Sequence, residues 1–150
     1  MRRQFTDDAT EHEIPNFIVR LLAMIYDSLI VIAIWFLVGA IAVALNDGEA
    51  IDTLIGQSIL KSSLFCATFL FFGYSWTKKG QTVGMIAWRL RAQTTEGLTL
   101  SWSQSLIRFV GAVVSFAVVG LGFFVTLFTN EKLTWHERWS NSVTVRLPKR

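Results

Sequence analysis

Five ionisable side chains stand where an apolar chain has least use for them. Arg20 and Asp27 lie inside the run FIVRLLAMIYDSLIVIAIWFLVGAIAVAL, Arg108 opens SLIRFVGAVVSFAVVGLGFFVTLF, and His136 and Glu137 sit in TWHERW near the end of the chain. An unpaired ionised group in hydrocarbon costs about 2.5 kcal/mol or more, so such residues mark either ion pairs that lock helices together or sites for an ion or solute.

Arg20 and Asp27 are seven residues apart, which puts them on nearly one helical face but about 10 Å apart along the axis. They are too distant to pair with each other. Arg108 is the expected partner of Asp27 and Glu137 that of Arg20, with lipid phosphate as a rival for Arg20. Such a network balances two positive charges with two negative ones. The short side chain of Asp27 cannot snorkel from more than two turns inside a helix, so it must be paired, hydrated or protonated. Two readings stay open: an architectural ion pair, or a group that binds a monovalent cation or a proton. Histidine is the side chain whose unperturbed charge change falls near neutral pH, which makes His136 a candidate proton carrier in the same set.

The elements that must position these residues are membrane elements. Of 150 residues, 52% are hydrophobic and 17% charged, far from a soluble balance. Residues 17–45 are long enough to cross about 30 Å of hydrocarbon. The leader 1–16 mixes Arg2 and Arg3 with Asp7, Asp8, Glu11 and Glu13, unlike a cleavable signal peptide, so residues 17–45 read as a retained spanning helix. A second span covers 55–76, with Lys61 snorkelling to the interface. The connection 46–54 holds three acidic residues and no Lys or Arg, whereas 77–104 holds Lys78, Lys79, Arg89 and Arg91. The positive-inside rule makes 46–54 an external loop and 77–104 a cytoplasmic one.

A single span over 105–128 would export a tail carrying Lys132, Arg138, Arg146, Lys149 and Arg150, against that rule. Gly120 and Gly122 offer a turn instead, which makes a short helical hairpin of 105–119 and 121–129 and keeps the tail 130–150 cytoplasmic. Segments 88–94 and 142–148 alternate apolar and polar residues and predict a small paired ribbon. The expected fold is all-α integral membrane: two full transmembrane helices, a short third and fourth helical hairpin, and a small cytoplasmic β-ribbon, with both termini cytoplasmic in a bacterial-type inner membrane.

The ordered set of Arg20 and Asp27 in the first helix, GQTVGM (80–85) after the second, Arg108 opening the third, and TWHER (134–138) before the tail resembles the RDD family, named for one arginine and two aspartates. The resemblance covers 15–146. It implies that Arg20 is the family arginine and Asp27 its first aspartate. The second acidic position, usually His-Asp, is here His136-Glu137, which keeps the charge and lengthens the side chain. It also implies a role in transport of unidentified ligands, with cation–proton exchange suggested for some members.

Other signals are plainer. The net charge of +3 comes from basic residues beside apolar segments, which topology explains better than nucleic acid. Cys66 is the single cysteine, so no intrachain disulfide forms. His136-Glu137 lacks the second histidine of a zinc helix, since position 140 is Ser140, and no nucleophile–base pair or phosphate-cradling loop is present. No enzyme, metal or cofactor is expected. GQTVG reads as a turn placing the short amphipathic MIAWRL at the interface, and Trp76, Trp88, Trp102, Trp135 and Trp139 read as interfacial anchors. The sequence thus leads to a small-ion or solute transporter or, alternatively, a non-transporting scaffold or accessory subunit. Three or four helices enclose little space, which points to a homo-oligomer or a membrane protein partner.

Overall fold

The computed structural model describes residues 4–5, 14–117 and 135–148. Two long helices dominate, α1 (Phe17–Leu45) and α2 (Leu54–Lys78). Both are long and apolar enough to cross a membrane, and at 1.5 Å per residue they measure about 44 and 38 Å.

Their burial is inverted relative to a soluble helix. The buried residues of α1 are Arg20, Ala23, Asp27 and Val31, a single stripe at helical spacing. Phe36 and Leu45 are 77% and 83% exposed. A polar stripe turned inward beneath a bare apolar surface suits a hydrocarbon solvent and is a liability in water. The hydroxyls of α2 follow the same logic. Those of Ser58, Ser63, Thr68, Ser75 and Thr77 donate to the carbonyl four residues back at 2.7–2.9 Å, which satisfies them without water.

The two helices are tied across their apolar faces by Trp35, whose Nε1–H donates to Thr68 Oγ1 at 2.8 Å. The turn between them uses Asp47 and Gly48, both at positive φ, and Thr53 caps α2 by accepting the Gly56 N–H at 3.1 Å.

Beyond α2 the chain builds a small polar cap. A five-residue helix α3 (Val83–Ala87) precedes strand β1 (Leu90–Thr94). Next comes α4 (Trp102–Ala117), whose start is closed by a reciprocal capping box. Ser101 N–H donates to Gln104 Oε1 at 3.1 Å, and Gln104 N–H donates to Ser101 Oγ at 3.2 Å. Last come helix α5 (Trp135–Trp139) and strand β2 (Ser142–Arg146). The two strands pair antiparallel from Leu90↔Arg146 to Thr94↔Ser142. The expected ribbon is therefore present, shorter by two residues per strand than 88–94 and 142–148 at its Leu90/Arg146 end only. The core lies where α2, α4 and β1 meet: Trp76, Ala92, Leu100 and Phe109 are buried, with Phe69, Phe72 and Met85 against them.

The loop expected over 77–104 is thus largely structured, and α4 starts at Trp102, three residues before 105. The turn at Gly120–Gly122 and the second hairpin arm at 121–129 lie outside the described residues.

Candidate functional site

Two buried polar centres lie on the inward stripe of α1. At the first, Asp27 is 4% exposed and each carboxylate oxygen accepts one hydrogen bond. Oδ1 accepts the Gly84 N–H at 2.8 Å and Oδ2 the Thr82 hydroxyl at 2.5 Å. Thr82 is also the N-cap of α3, its Oγ1 accepting the Met85 N–H at 3.2 Å. The first N–H groups of a helix have no internal partner, and here a carboxylate from another helix supplies one.

The approach is close because residue 84 is glycine. A Cβ there would lie 2.1 Å from the Ala23 carbonyl oxygen and 2.9 Å from Asp27 Cγ. The expected Asp27–Arg108 pair is therefore corrected: Asp27 holds α3 to α1. The reading of GQTVG as a turn beside MIAWRL missed this, since its Thr82 and Gly84 are the partners of Asp27.

At the second centre Glu137, fully buried, joins four elements. Its Oε2 accepts from Arg20 Nη1 at 2.8 Å, and its Oε1 accepts the Thr144 N–H at 3.0 Å together with the Thr144 hydroxyl. Arg108 Nη2 stands 3.5 Å from Oε1. Arg108 in turn donates to Ser142 Oγ and Thr144 Oγ1, both at 2.7 Å, and its guanidinium lies over the Trp76 ring at 5.3 Å. Ser140 Oγ and Ser142 Oγ share a further hydrogen bond of 2.7 Å. Charge-assisted bonds of this kind are roughly twice as strong as neutral ones.

The inward stripe of α1 reaches both centres, and Glu137 fastens α1 to α4, α5 and β2. Arg20, Arg108 and Glu137 come together; Asp27 engages α3 instead. Among the described residues two positive charges meet one negative charge here, and Arg20 Nη2 and Arg108 Nε have no hydrogen-bond partner. His136 belongs to α5 by its backbone, but its side chain lies outside the described residues. Among the described residues, no group of three His, Cys, Asp or Glu is placed to hold a metal.

The chain matches the RDD family model over residues 14–141. It belongs to the RDD family. No curated protein and no solved structure matches it. Together with the two bare apolar helices, this membership points to a membrane protein.

In this RDD chain the residues that sequence reasoning missed are Thr82, Gly84, Ser140, Ser142 and Thr144. A signal for some was present. Thr82 precedes a short apolar segment, as an N-cap does. Ser142 and Thr144 are two apart on a strand and share one face. Polar residues on a strand read by default as a solvated face, whereas here that face turns inward to Arg108 and Glu137.

Proposed function

We propose that this RDD protein is a membrane-embedded adaptor, an accessory subunit whose charges join its spanning helices to the strand ribbon. One observation carries the reading: all four carboxylate oxygens of Asp27 and Glu137 accept hydrogen bonds from the chain's own donors. A carboxylate whose two oxygens are both held by donors of its own chain serves the fold first, and an ion bound there would share those oxygens with the donors. The ribbon, with exposed Lys78, Lys79 and Arg89 near its entrance, then faces the cytoplasm of a bacterial-type inner membrane. Both termini lie on that side, and a tag at Arg150 found on the outer face would overturn this topology.

The transport reading keeps one observation in its favour. Among the described residues the cluster of Arg20, Arg108 and Glu137 has a surplus positive charge and two guanidinium nitrogens without a hydrogen-bond partner, so a solute bound there would be an anion and not the cation expected from Asp27. Reconstitution separates the two readings. On the adaptor reading, proteoliposomes holding this protein alone should leak sodium, protons and phosphate no faster than empty vesicles. A saturable flux, lost in a folded Asp27→Asn or Arg108→Lys variant, would establish a transporter instead.

A further inference from the structure

The half of α2 nearest Leu54 carries polar side chains that neither buried centre uses. Gln57, Ser58, Lys61 and Ser62 are all exposed, and at 100° per residue they fall within an arc of about 140° on one side of the helix. Ser58 is satisfied, its hydroxyl donating to Leu54 O at 2.8 Å. Among the described residues, the Gln57 amide, the Lys61 ammonium and the Ser62 hydroxyl have no hydrogen bond or ion pair. The neighbouring helix differs. From Val31 to Leu45, α1 has no polar side chain except Trp35, whose N–H is taken by Thr68.

Ser58, Ser62, Phe65, Phe69 and Phe72 recur at intervals of four and three residues, the spacing of a helix-packing seam. One end of that seam is covered by α4: the Phe109 ring centroid lies 5.4 Å from that of Phe65, 5.5 Å from Phe69 and 6.1 Å from Phe72. Beyond Phe65 the seam continues as two exposed serines four residues apart, the small-residue spacing that lets a further helix approach closely. Snorkelling towards Leu54 would hydrate Lys61. It leaves the Gln57 amide and the Ser62 hydroxyl facing hydrocarbon without partners.

Charge decides what kind of helix fits. Residues 17–45, 54–78 and 102–130 contain one carboxylate, Asp27, and its two oxygens are taken by Gly84 and Thr82. A second copy packed symmetrically through this face would set Lys61 near Lys61. We infer that this face docks a membrane-spanning helix of a different protein, one that carries an Asp or Glu opposite Lys61, about 10 Å from the Leu54 end of α2. Such a helix is the partner that the adaptor reading requires, and its role rests on that reading.

A designed helix tests the face on the full chain. A fluorophore added after Arg150 reports energy transfer to a labelled leucine–alanine helix of about 23 residues in phosphatidylcholine vesicles at mildly alkaline pH. With Asp about seven residues from one end, the helix should bind the wild-type chain about ten-fold more tightly than with Leu in that place. Lys61→Met should abolish the preference. Gln57→Leu with Ser62→Ala should reduce it about three-fold and leave the melting temperature unchanged. A chain with Lys61→Met and Leu37→Lys moves the charge to the bare surface of α1, where Leu37 is 62% exposed, and should recover about two-fold at most. Equal binding of both helices to the wild-type chain would show Lys61 hydrated or covered by its own chain and would overturn the docking face. A full preference from the relocated lysine would overturn it too, because charge alone would then suffice. Solute flux through reconstituted protein would end the adaptor reading and leave the binding result standing.

Discussion

Arg20 Nη1 and Glu137 Oε2 lie 2.8 Å apart although 117 residues separate them in the chain. This contact closes the polar cap onto α1, and among the described residues it gathers two arginines about one buried carboxylate. Removing Glu137 leaves two buried guanidinium groups facing one another. Glu137→Gln should therefore lower stability by about 3–5 kcal/mol, the range for breaking a buried pair from one side. Thermal unfolding in mild detergent measures it, and a loss below about 1 kcal/mol would show the pair to be hydrated.

The pairing scheme itself is testable by double-mutant cycles. Arg20→Ala with Glu137→Ala should show a coupling of about 1–3 kcal/mol, because the two side chains share a hydrogen bond. Asp27→Ala with Arg108→Ala should add to within about 0.5 kcal/mol, since the two engage different partners. Reversing Asp27 and Arg108 together should likewise rescue neither single reversal.

Gly84 and Gly39 make a matched pair of substitutions. At Gly84 a methyl group meets the Ala23 carbonyl oxygen at 2.1 Å, whereas at Gly39 nothing lies within 4 Å. Gly84→Ala should separate α3 from α1, leave Asp27 without its donors, and lower stability by about 2 kcal/mol or more. Gly39→Ala should change it by less than about 0.5 kcal/mol. Comparing the two melting curves checks both.

Thr82 has two tasks that one atom performs, accepting from Met85 and donating to Asp27. Thr82→Ser keeps the hydroxyl and should retain most of the stability. Thr82→Val keeps the shape and loses both bonds, for an expected loss of about 2–4 kcal/mol from the cap and the charge-assisted bond together. If serine and valine behave alike, the hydroxyl is not what holds α3.

Much of this arrangement was legible in the sequence. Charge balance led from Arg20 to Glu137, and the seven-residue spacing put Arg20 and Asp27 on one face of α1. Period-two alternation led to the ribbon. The Asp27 partner was misread because counting charges overlooks uncharged donors: a carboxylate is satisfied as well by a helix's first N–H groups and a hydroxyl as by a guanidinium. GQTVG carries no charge and sits in a polar loop, so nothing in its composition marked it as the partner of a membrane-helix aspartate. The inward direction of Ser142 and Thr144 was equally hidden, because alternation fixes which residues share a face and not which way that face turns.

The central claim is that Asp27 is held by the fold and holds it. Asp27→Asn tests this most directly, because the amide keeps one acceptor for Gly84 but replaces the charge-assisted bond from the Thr82 hydroxyl with, at best, a neutral one in which Thr82 accepts. Thermal unfolding in detergent at neutral pH should show a loss of about 1.5–3 kcal/mol, as expected for a hydrogen bond to a charged group. Stability unchanged or raised by asparagine would contradict the account, for the carboxylate would then be retained at a cost to the fold, as a group that handles ions is.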